Sequence, residues 1–177
     1  QGSDTSESVL LFIKIEEVNT PANDPPIRTA GAVNNLTVLE DSGLTSLGLE
    51  SVAYGPGGGS DETSQTLTYT VTAVPSSNLG NVTLADGTTV VTANTSYTLA
   101  QLQGMKFASA ANANGGPATL SWKAQDNGGT ANGGVDKSTN TFTISVTPVN
   151  DAPSVTFSIT NATNTVIAIL GTGPVTN

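Results

Sequence analysis

The chain has no cysteine and no histidine. The first absence excludes disulfides, thiolate metal sites, thiol nucleophiles and iron–sulfur clusters. The second removes zinc sites of the usual kind and Ser-His-Asp catalysis. What chemistry remains belongs to carboxylates, amides and hydroxyls, and no catalytic residue is expected. Basic residues are scarce, 5 against 14 acidic, for a net charge of −9. Such a surface repels phosphate, so neither nucleic acid nor an anionic membrane is an expected partner. No apolar run reaches the roughly 18 residues of a membrane-spanning helix. Aromatics are 5% of the residues and hydrophobics 36%, so a core has to rest on Val, Leu, Ile and Ala. At 177 residues the chain accommodates one domain, with pieces of neighbours beside it. It opens on Gln1 without initiator Met or signal peptide, as expected of a processed chain or a fragment.

What is present is mostly period two. Thr66–Val74 (TLTYTVTAV) sets Leu67, Tyr69, Val71 and Ala73 on one face and threonines on the other. Thr119–Ala124 and Thr141–Val146 repeat the alternation, the pattern of half-buried antiparallel strands. Further strand candidates are Leu10–Val18, Leu36–Glu40, Asn81–Ala85, Thr88–Val91 and Thr156–Thr160. Asp86-Gly87 reads as a hairpin turn, and Gly55–Glu62 and Asp126–Asp136 are Gly-rich loops. Only Thr98–Phe107 has helical spacing, and Gly104 cuts it to one helical turn or a loop. Short strands punctuated in this way predict an all-β protein, an antiparallel β-sandwich. Trp122 alternates with Leu120 and Ala124 and reads as a core residue rather than a sugar-stacking platform.

One segment occurs twice. Thr20–Pro26 is TPANDPP and Thr147–Pro153 is TPVNDAP, 127 residues apart, each after a strand-like run. Proline keeps the residue before it extended and blocks both helix and ladder, so Asn-Asp-x-Pro reads as a stiff connector. A connector recurring at such a distance is the mark of an array. The expected division is an N-terminal arm or last strand of a preceding unit over 1–23, one complete unit over 24–153, and a tail or start of the next unit over 154–177.

The ordered set LTVLEDSG, LTYTVTAVP, LADG, AQDNGG and ISVTPVNDAP resembles the cadherin-like tandem repeats of large bacterial surface proteins. The resemblance runs from Asp24 to Pro153 and implies a cadherin/Ig-like Greek key. It also implies calcium between successive repeats, held by the connector Asn-Asp, an early acidic residue and the Asp of Ala-x-Asp-x-Gly. Carried over, Asn23, Asp24, Asp61 and Asp126 would meet at an upper end, and Glu40, Asn150 and Asp151 at a lower end. The family's Asp-x-Asp is reduced here to Ser60-Asp61-Glu62, and its Leu-Asp-Arg-Glu motif is absent, which leaves the lower set short of carboxylates. Chemistry agrees with the cation: calcium takes six to eight hard oxygens, and the chain is rich in those and empty of soft ligands. The same residues also have plain readings. Asp24 and Asp151 cap turns before proline, Glu40 ends a strand, and Asp61, Glu62 and Asp126 are solvated in loops.

The functional expectation is a non-catalytic spacer and adhesion module at the cell surface or outside the cell. Its expected partners are adjacent repeats, other copies of the chain, and a surface protein or glycan. The alternative is a filament subunit joined head to tail by strand donation from Ser8–Ile15 or Thr165–Gly171. A carbohydrate-binding or carbohydrate-cleaving domain working through two carboxylates finds little support among so few aromatics.

Overall fold

The computed structural model describes Gly2, residues 21–153 and the backbone of Thr156–Thr160 and Val166–Leu170. The strands in chain order are β1 (Ile27–Ala30), β2 (Leu36–Leu39), β3 (Leu44–Ser46), β4 (Ala53–Gly55), β5 (Thr68–Ala73), β6 (Gly80–Thr83), β7 (Thr95–Tyr97), β8 (Lys106–Ser109), β9 (Gly115–Gln125) and β10 (Lys137–Thr147). A hairpin of β11 (Thr156–Thr160) and β12 (Val166–Leu170) follows. The one α-helix among the described residues, α1, spans Leu99–Gln103. The protein is mostly β, as the period-two pattern predicts.

Two sheets dominate. One has the order β2-β10-β9-β5-β7 and the other β3-β8-β6. Their inner faces share one core. Val38, Tyr69, Val71, Leu120, Trp122, Ala124, Phe142, Ile144 and Val146 come from the first sheet, and Val82 and Phe107 from the second. The alternation explains the choice of face: on β9, Leu120, Trp122 and Ala124 are fully buried while Thr119 and Lys123 are exposed. Each large apolar side chain removed from water contributes roughly 1.5–3 kcal/mol, so this shared layer holds the sheets together. Trp122 is in the core, stacked edge-on to Phe142 with ring centroids 6.2 Å apart. Its Nε1 donates to the Tyr54 hydroxyl at 3.0 Å. Tyr54 lies on β4, which pairs with β1 in a separate two-stranded ribbon, so this bond and the Tyr54–Tyr69 ring contact, centroids 5.4 Å apart, tie the ribbon to the main sheet.

Two expectations are revised and a third is met. The pair β2–β10 is parallel, so the sheet is not wholly antiparallel. Thr88–Val91 makes only an isolated bridge from Val90 to Thr83, because Asp86 captures the amides of Thr88 and Thr89 and curls the chain into a tight turn. Thr98–Phe107 supplies the one helical turn expected of it, α1, followed by β8. Thr98 Oγ1 accepts from Gln101 N–H, and the Gln101 side chain returns a bond to Thr98 N–H. This reciprocal cap starts the helix, and Gly104 ends it one turn later.

No helix among the described residues is long and apolar enough to cross a membrane. The expected strand Leu10–Val18 and the donor candidate Ser8–Ile15 lie outside the described residues. Within the other donor candidate, Thr165–Gly171, β12 pairs antiparallel with β11.

Candidate metal centre

Four stretches of chain meet around Asn23: the connector itself, the Gly-rich loop before β5, the turn after β9 and the residues leading into β10. Asn23 is 8% exposed. Its carboxamide nitrogen donates to Asp126 Oδ1 at 3.0 Å and to the Val135 carbonyl at 2.7 Å. Its carboxamide oxygen accepts from Gln65 Nε2 at 2.7 Å. The Val135 amide in turn donates to the Asn23 carbonyl at 2.8 Å. One residue on, the Asp24 amide donates to Glu62 Oε1 at 2.7 Å. Consecutive connector residues therefore hold two acids, Asp126 and Glu62, that are only 4% and 3% exposed.

The loops reach this packing because glycine lets them. Gly58 sits at φ +44°, and a side chain there would overlap the Glu62 carboxylate. A side chain at Gly128 would overlap the Asn23 carboxamide. Two turns shape the Glu62 loop, with Glu62 N–H to the Gly59 carbonyl at 3.3 Å and Gln65 N–H to the Glu62 carbonyl at 2.9 Å. Across the junction, Asp126 Oδ1 also accepts from Gly128 N–H at 3.0 Å, and Asn127 Oδ1 accepts from Thr66 N–H at 2.9 Å.

Three oxygens in this cluster are shielded from solvent yet have no hydrogen-bond partner: Glu62 Oε2, Asp126 Oδ2 and Gln65 Oε1. Leaving such an acceptor unmade costs about 1–3 kcal/mol, and more for a charged group. Glu62 and Gln65, with Asn23, Asp61 and Gly128, line a cavity of about 280 Å³. Asp126 is not among the lining residues and is linked to them through Asn23. Two anionic oxygens and one amide oxygen without donors fit a hard cation and repel an anion. Among the described residues no three carboxylates gather into a ready-made metal group. An ion here would complete its shell with amide oxygens and water, both of which calcium accepts.

The seven residues singled out in the sequence separate accordingly. Asn23 and Asp126 are joined, as the resemblance implies. Asp24 takes part through its backbone, while the residue as a whole is exposed. Asp61 is exposed at the cavity wall, and its neighbour Glu62 is the buried acid. Glu62 occupies the second acidic position of the Asp-x-Asp pattern, a signal present in Ser60-Asp61-Glu62. Gln65 and Val135 had no such signal, being fixed by chain geometry alone.

The lower set does not converge. Glu40 is 5% exposed, and both of its oxygens are taken: Oε1 accepts from Val149 N–H at 2.7 Å and Oε2 from Asn114 Nδ2 at 3.1 Å. Asn150 and Asp151 are exposed and have no hydrogen-bond partner among the described residues. Glu40 thus clasps the outgoing connector with protein donors. The plain readings also hold in places. Asp86 is a turn residue, its pKa lowered to about 2 by the Thr89 hydroxyl and by the amides of Thr89 and Thr88. Asp136 takes Gln125 Nε2 at 2.8 Å and lies 3.5 Å from the Lys137 ammonium. No family model matches the chain, and neither a curated protein nor a solved structure matches it.

Proposed function

We propose that the chain is a non-catalytic, extracellular, cadherin-like module that takes up calcium at its upper end and thereby stiffens its junction with a neighbouring unit. The observation that carries this reading is the pair of buried carboxylate oxygens without donors, Glu62 Oε2 and Asp126 Oδ2, held by consecutive residues of the connector. A multivalent cation in the cavity would engage Glu62 Oε2 and, through the Asn23–Asp126 bond, tie the connector to the body of the repeat. Asn23, Glu62, Gln65 and Asp126 hold the junction together, and Asp61 at the cavity wall is within the same loop as Glu62.

The sheet orders support a cadherin/Ig-like Greek key. The order β3-β8-β6 corresponds to strands B-E-D, and β10-β9-β5 to strands G-F-C, as in two-sheet sandwiches of that class. Calorimetric titration of the full chain with calcium, beside Glu62→Gln, tests the reading. Heat of binding in the wild type and its loss in the variant is the expected result. Absence of binding up to millimolar calcium, the weak end for extracellular modules, would leave the connector as a hydrogen-bonded turn.

A further inference from the structure

The Asn-Asp-x-Pro part of the repeated heptapeptide is anchored at one end of the molecule and exposed at the other. At the upper end Asn23 and Pro26 are buried, Asn23 making three side-chain hydrogen bonds. At the lower end their counterparts Asn150 and Pro153 are exposed. The two copies differ only where Ala22 faces Val149 and where Pro25 faces Ala152. Ala22 is exposed and Pro25 half-buried, so neither change touches the two buried anchor positions.

We infer that Asn150–Pro153 is a plug for a socket like the one that holds Asn23, and that its partner is the upper end of a following copy of this unit. In that partner Asn150 bonds to the counterparts of Asp126, Gln65 and Val135, and Pro153 fills the place of Pro26. The inference rests on reading the chain as one of a series, but not on calcium. It adds a mechanical consequence. Val149 N–H is already held by Glu40 of its own unit, so adjacent residues grip successive units. Only one Cα–Cα step, about 3.8 Å, separates the two anchors, and the junction has no slack to lose. Such a joint is already connected in chelator, and a cation then stiffens a connection already made.

The test is done on the full chain in chelator, which keeps it separate from the calcium reading. Ala22→Val together with Pro25→Ala writes the lower sequence into the upper socket. The expected result is a Tm within about 2 °C of wild type, whereas Asn23→Ala lowers it by about 5–10 °C. Asn150→Ala is expected to leave Tm unchanged, since its side chain has no hydrogen-bond partner among the described residues. A grafted chain as unstable as Asn23→Ala would overturn the proposal, as would destabilisation by Asn150→Ala. Should Asn23→Ala fail to fold, the grafted chain still decides, through hydrogen-exchange protection of the Val135 amide: protection retained supports the fit, and protection lost overturns it. Loss of the calcium response with a tolerated graft would sink the cation reading alone.

Discussion

Calcium should raise the midpoint of thermal unfolding, and Glu62→Gln should erase that response without costing stability in chelator. Two buried acids, Glu62 and Asp126, have second oxygens that lack donors among the described residues. An ion that binds only the folded state stabilises by RT ln(1 + [L]/Kd). With the roughly 10⁻⁴–10⁻³ M affinity of extracellular modules, about 10 mM calcium gives about 1.4–2.7 kcal/mol. For a chain of this size each kcal/mol moves Tm by about 2–4 °C, so the expected rise is about 3–11 °C. In Glu62→Gln the carboxamide oxygen still accepts from Asp24 N–H, while the buried charge is gone. Its Tm in chelator should therefore rise slightly, by up to about 1 kcal/mol of stability, and calcium should add nothing. The assay is a calorimetric melt in calcium, in magnesium and in chelator, at one ionic strength so that screening of the net −9 charge is constant. Magnesium, which dehydrates reluctantly and demands tight octahedral geometry, should give less. Equal shifts in calcium and magnesium would show screening rather than a site. A full calcium response in Glu62→Gln would place the ion elsewhere.

Three other outcomes are expected. Glu40→Ala leaves the Val149 amide and Asn114 without their acceptor and should lose about 2–4 kcal/mol in urea unfolding, equally in calcium and in chelator. Tyr54→Phe keeps the ring 5.4 Å from Tyr69 but strips the acceptor from the buried Trp122 nitrogen; it should cost about 1–2 kcal/mol and shift the emission of the chain's one tryptophan. Asp86 should titrate near 2 rather than 3.8 by carboxyl NMR. Because its folded value is depressed, the stability it contributes is present above the unfolded value and is lost as pH falls from about 3.8 through about 2. Asp86→Asn should remove that component of the acid profile.

What the sequence revealed was whatever repeats along the chain. Tyr69 and Val71, or Leu120 and Trp122, announce a buried face through period two, since alternate side chains of a strand face the same side. The short strands β1, β3, β4 and β7 carry no such signal. They are three or four residues long, too short for an alternation to register, and their pairing is set by partners far away in sequence. The parallel register of β2 on β10 is likewise a tertiary choice. At the site, Asn23 was legible because its motif occurs twice, and Asp126 through the Ala-x-Asp-x-Gly that carries the resemblance. Glu62 was half legible: its composition said acid, but only the fold says that Gly58 clears space for it and that Asp24 N–H binds it. Asn114 was invisible, since nothing local marks an asparagine as the donor to a glutamate 74 residues away.

Glu40 and Glu62 make the argument for an asymmetric module. They are the same residue, buried to nearly the same degree at 5% and 3% exposed, and each holds a connector amide, Val149 N–H in one case and Asp24 N–H in the other. Burial and residue type therefore do not distinguish them. The second oxygen does. Asn114 fills it on Glu40, whereas on Glu62 it is left beside a cavity with the Gln65 oxygen also unmatched. A carboxylate whose lone pairs are already engaged by N–H donors gains little from a cation, because the ion must displace bonds of comparable strength. A carboxylate with a desolvated, unmatched oxygen gains the whole of the missing interaction. If the proposed cation binds, the outgoing connector is fixed by protein alone and the incoming one is completed from solution, so ion concentration would act on one face of a junction and leave the other constant.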